Sequence, residues 1–123
     1  MPLTARLVVA GISAIQAQAI QGTIANTLTA TGTSSQTASF PVAADINRFT
    51  TVAANAGALL PAMNPGDSLI LFNGGANALL VFPPVGGQIN ALGTNASYSV
   101  ATATPYVEVY CITPTQYIAS QSA

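Results

Sequence analysis

Apolar residues fall in short runs along most of this chain, and few of those runs alternate cleanly with polar residues. From residue 37 onward, β-type runs recur over 37–40, 49–53, 58–60, 68–72, 78–82, 97–101, 106–112 and 117–119. Turn chemistry separates them: Asn64-Pro65-Gly66-Asp67, Asn73-Gly74-Gly75, Pro83-Pro84 with Gly86-Gly87, Thr104-Pro105 and Thr113-Pro114. Short strands punctuated roughly every ten residues predict a mainly β fold, an antiparallel β-sandwich or jelly-roll-like barrel.

Two of these runs define the centre of that fold. Leu69-Ile70-Leu71-Phe72 and Leu79-Leu80-Val81-Phe82 flank the turn Asn73-Gly74-Gly75-Ala76-Asn77, which predicts a hairpin closed by Asn and Gly at positive φ. Pro83-Pro84 ends the second run, because proline cannot donate to a strand ladder. Neither run has a polar face. The pair is therefore expected between its own sheet and a second layer, either the opposite sheet or another subunit. The run 106–112 is two-sided. Val107, Val109 and Cys111 form a core face, and Tyr106, Glu108, Tyr110 and Ile112 form a mixed one. Tyrosine, with an apolar body and a polar tip, suits that second face to protein contact.

The N-terminal texture differs. Thr4 and Ser13 can cap short helices over 5–10 and 14–21, with Gly11 and Gly22 as stops. Leu7, Val8, Ile12, Ile15 and Ile20 give these segments a modest apolar face. Helices this short are marginal alone, so they need a surface to pack on. The expected organisation is a helical N-terminal leader over 1–26 and a β-sandwich domain over 27–123, with the polar stretch 29–36 as a loop tip or connection.

Charge changes the picture most. Charged residues are 4% of the chain, against about 25% in soluble domains. The full set is Arg6, Arg48, Asp45, Asp67 and Glu108, with no His and no Trp. Two scattered arginines cannot neutralise a phosphate backbone, so no nucleic-acid partner is expected. No apolar segment approaches the roughly 20 residues of a membrane span. Without His, the commonest general base and both usual nucleophile pairings are missing, and no enzyme is expected. Asp45, Asp67, Glu108 and Cys111 show no ligand spacing, so neither metal nor cofactor is expected. Cys111 on the core register reads as an inert thiol. Asp67 reads as a turn residue, and Asp45 with Arg48 as a local ion pair or turn contact.

The order of motifs resembles a β module of small tailed-bacteriophage virion proteins. It runs Ala58-Leu59-Leu60-Pro61, Pro65-Gly66-Asp67, the run 69–72, Asn73 to Asn77, the run ending Phe82-Pro83-Pro84, and Gly86-Gly87-Gln88-Ile89-Asn90. A Ser97-Tyr98-Ser99-Val100 strand and a closing strand over 107–113 follow. The segment 9–19 is similar to the leader that precedes such modules. The resemblance implies a capsid decoration (cement) protein that binds the assembled head and stabilises it, made in the host cytoplasm and resident on the capsid surface. It further implies the major capsid protein and the chain itself as partners, as a homotrimer. Contacts are expected through Leu7, Val8, Ile12, Ile15, Ile20, Tyr106, Glu108 and Tyr110. The alternative is a head-fibre or tail-appendage subunit that binds a host surface or carbohydrate, with Tyr98, Tyr106, Tyr110 and Tyr117 stacking on sugar rings.

Overall fold

A computed structural model describes residues 22–102 and 106–122 as a mainly β fold of two mixed sheets. The larger sheet has the order β1 (Ile24–Thr29), β3 (Ile46–Thr51), β5 (Ser68–Asn73), β9 (Val107–Thr113), β10 (Gln116–Gln121), β7 (Gln88–Ile89). The smaller has the order β2 (Phe40–Pro41), β4 (Gly57–Leu59), β6 (Leu79–Phe82), β8 (Tyr98–Val100). Period-two alternation makes these elements. In β9, Val107, Val109 and Cys111 are buried while Glu108, Tyr110 and Ile112 turn away.

The connectivity is not that of a jelly roll. From β1 to β6 the chain steps alternately from one sheet to the other, and β1-β3-β5 and β2-β4-β6 are parallel neighbours. This half of the chain is three turns of a flattened coil. Equivalent positions stack across its turns, Ile24 on Ile46 on Ile70 in one sheet and Phe40 on Ala58 on Val81 in the other. Apart from a single antiparallel bridge between Thr31 and Gly57, antiparallel pairing begins where β8 joins β6 and β9 joins β5. Five of the eight ladders are parallel, with β10-β7 the fifth. The expected antiparallel architecture is corrected accordingly. Parallel strands need a crossover, and here the crossover from each strand to the next runs through the opposite sheet.

The turn at 73–77 shows why. The expected hairpin does not form: β5 and β6 are central strands of different sheets. Asn73 ends β5 with its side chain buried at 4% exposure. Its Nδ2 donates to the Asn77 and Val100 carbonyls, both at 3.0 Å, and its Oδ1 accepts from the Gly75 N–H at 3.0 Å. The Gly74 N–H meanwhile donates to Phe49 of β3 at 2.8 Å. The corner thus swings the chain across the core instead of back along its own strand. In β5 the run's inner residues Leu69 and Leu71 enter the core, while Ile70 and Phe72 stay half-buried on the outer side of the sheet.

The buried faces of the two sheets share one core, which includes Phe49, Leu71, Leu79, Val81, Ile89, Val100, Val107, Val109 and Tyr117. Each such side chain contributes about 1.5–3 kcal/mol by leaving water. Gly57 of β4 sits where a Cβ would lie 2.5 Å from the Leu80 carbonyl oxygen and 2.8 Å from Ser39 Oγ. Gly57→Ala should therefore force β4 and β6 apart and lower stability by about 1–3 kcal/mol, read from urea-unfolding midpoints.

Ile24 begins β1, so three residues assigned to the leader belong to a strand. The helices expected over 5–10 and 14–21, and the turn at Thr104-Pro105, lie outside the described residues. The loop at 29–36 is tied down: Gln36 Nε2 donates to the Pro83 carbonyl at 2.6 Å.

Candidate interaction face

The side of the six-stranded sheet that turns away from the core carries isoleucines and aromatic residues among polar ones. Register places them in rows. Ile24, Ile46 and Ile70 lie side by side and lead to Glu108 and Ser120. Arg48 lies beside Phe72, whose ring packs on Tyr106 at 5.7 Å. Ser68, Tyr110 and Ile118 form a third row. Ile24 is 69% exposed, Ile112 52%, Tyr110 42% and Ile118 41%. Exposed apolar residues scattered singly need no explanation, but their grouping on one face makes it a candidate for interaction.

Arg48 and Glu108 bring the only charges to these rows, and polar neighbours occupy both. Arg48 Nη1 donates to Asn26 Oδ1 at 3.0 Å. The Tyr110 hydroxyl donates to the Glu108 carboxylate. That bond and the Glu108 charge raise the Tyr110 pKa above its ordinary 10.0, because both oppose a phenolate. A pKa raised by folding gives stability that is present below pH 10 and lost as pH rises through the higher folded value. Glu108→Gln should return Tyr110 to the ordinary tyrosine range, seen as earlier tyrosinate absorbance in a difference titration against the parent chain.

The remaining chemistry-bearing residues do not converge. Among the described residues, no three His, Cys, Asp or Glu side chains group as metal ligands. Asp45 and Asp67 line one cleft of about 310 Å³, but each carboxylate serves the backbone. Asp45 Oδ2 accepts from the Thr23 N–H at 2.7 Å, and Asp67 Oδ2 accepts from the Asn64 N–H at 3.0 Å. Asp45 and Arg48, expected to share a local ion pair or turn contact, bond instead to Thr23 and Asn26 respectively. Cys111 is 1% exposed, and its Sγ lies 3.1 Å from the Thr113 carbonyl. Burial, and then the Asp67 charge, push its thiol pKa upward, away from thiolate chemistry.

Of the expected contact residues, Tyr106, Glu108 and Tyr110 do lie together on the outer face. Leu7, Val8, Ile12, Ile15 and Ile20 lie outside the described residues. The four tyrosines do not make one sugar-stacking platform: Tyr117 is fully buried, with its hydroxyl donating to the Pro114 carbonyl at 3.1 Å. Tyr98 belongs to β8 in the other sheet and packs against the core. Ile24, Ile46 and Ile70 were not legible as part of this face, because it takes the pairing of three strands more than twenty positions apart to bring them into one row. Ile118, between core-facing Tyr117 and Ala119, could have been found from alternation alone. Comparison of the chain with protein-family models, with curated proteins and with solved structures returns no match.

Proposed function

We propose that this chain is a virion structural subunit, a capsid decoration protein that binds the assembled shell and itself, as a homotrimer, through the outer face of its larger sheet. The observation that carries the reading is that face: isoleucines and tyrosines side by side, two charges, and no layer over it among the described residues. The resemblance of its turn motifs to phage virion modules supplies the identity of the shell, and the two sheets are read as a sandwich with one side left for a partner. A near absence of charge suits a desolvated contact, where unpaired ions are costly. Binding the assembled shell and not its parts stabilises it by mass action.

The purified chain should sediment as an oligomer and should co-sediment with mature capsids from the same source. A chain that remains in the supernatant at saturating capsid concentration overturns the decoration reading. Binding to tail structures or to glycans instead would favour the appendage alternative.

A further inference from the structure

Asn73-Gly74 is the one Asn-Gly pair in the chain, and such a pair has a reactivity of its own. In an unfolded chain the Gly74 backbone nitrogen, once deprotonated, attacks Cγ of the Asn73 side chain. A glycine nitrogen does this most readily, because no side chain screens it or limits its approach. The new N–Cγ bond closes a five-membered succinimide as the Cγ–Nδ2 bond breaks and ammonia leaves. Water then opens the ring at either carbonyl, leaving an aspartyl or isoaspartyl residue at position 73.

The folded corner withholds each participant in this reaction. The nucleophile is engaged, since the Gly74 N–H donates to the Phe49 carbonyl at 2.8 Å. The leaving amide is engaged as well: Nδ2 donates to the Asn77 and Val100 carbonyls, and both bonds must break before ammonia departs. Oδ1 accepts from the Gly75 N–H, which fixes the side chain in its turn-capping conformation. Water is needed to take the proton and to open the ring, yet Asn73 is 4% exposed. Only a corner that has opened can react.

The same packing keeps the labile pair in the sequence. A Cβ at residue 74 would lie 3.0 Å from the Phe49 carbonyl oxygen, so glycine there serves the corner. Asn73 is tied to it too, because it takes an amide to donate to two carbonyls and accept from an N–H. The products cannot resume that role. A carboxylate at 73 has no N–H for Asn77 and Val100, and it sets a buried charge against their oxygens. The isoaspartyl form also lengthens the main chain by one carbon beside the bond from Gly74 to Phe49.

We propose that Asn73-Gly74 is a deamidation site that the fold keeps closed, and that reaction during an opening removes the subunit from the folded pool. Position 73 is then a one-way mark of subunits that have opened. The test follows the full chain in mildly alkaline buffer, native and in guanidinium chloride, by mass spectrometry of peptic fragments after an acid quench. Position 73 should be the fastest-reacting asparagine in the unfolded chain. In the native chain it should react at least about tenfold more slowly, as for any process that proceeds through openings. Weaker protection, or another asparagine reacting first in the unfolded chain, overturns the proposal.

A variant tests the one-way step. Asn73→Asp supplies the aspartyl product directly, and its urea-unfolding midpoint should fall below that of the parent chain. A parental midpoint overturns the loss from the folded pool. Neither measurement involves a capsid, so a failed co-sedimentation and a failed deamidation test are separate outcomes.

Discussion

Asn73→Leu should lower the unfolding free energy by about 3 kcal/mol, a large share of the roughly 5–15 kcal/mol that holds a domain of this size. Leucine preserves most of the side-chain volume and removes all three of the hydrogen bonds that turn the chain from β5 toward β6. The loss is concentrated on the Val100 carbonyl, because that bond is fully buried and water cannot replace its donor. The Asn77 carbonyl and the Gly75 N–H are partly buried and recover some solvent. The measurement is urea unfolding followed by circular dichroism, with a shifted midpoint and an unchanged slope marking a true stability change. A loss below about 0.5 kcal/mol, the range of ordinary surface substitutions, would mean that the corner is held by its backbone alone.

Ile112→Lys combined with Ile118→Lys should abolish the proposed self-association and capsid binding and leave the folded subunit intact. Both side chains project from the outer face, at 52% and 41% exposure, and Ile118 lies beside Tyr110. A central apolar contact in an interface is worth about 2 kcal/mol, so losing two weakens association about a thousandfold. Each lysine also places a charge in a contact that has almost none to pair with it. The folded subunit should lose no more than about 0.5 kcal/mol per site, because neither side chain reaches the core. Sedimentation velocity reads the oligomer, co-sedimentation reads capsid binding, and a thermal melt checks the fold. Retention of both assemblies at parental strength would move the contact off this face.

Strand positions were legible because each strand is a local matter. In 106–112 the alternation of Val107, Val109 and Cys111 with Glu108 and Tyr110 follows from the pleat alone, whereas 69–72 was legible as an unbroken apolar run ended by turn residues. The short strand β7 was missed because two paired residues leave no period to detect. β1 was missed because its sequence, Ile-Ala-Asn-Thr-Leu-Thr, contains a bulge that interrupts the alternation. Half of the candidate face, Tyr106, Glu108 and Tyr110, could be read from one strand. The rest is distributed over β1, β3, β5 and β10.

The sequence by itself determined that this chain would be mainly β and that the runs at 69–72 and 79–82 would be central strands. Composition and period-two patterning act residue by residue, so no partner strand is needed to read them. Only the tertiary structure decided which strands are neighbours. The Asn73-Gly74-Gly75 corner has the residues of a hairpin turn, yet Asn73 spends its side chain on Asn77 and Val100, and the next strand joins the other sheet. Local turn chemistry specifies that the chain bends. Where the bend delivers the following strand depends on which carbonyls lie within reach, and those are contributed by residues up to 27 positions away.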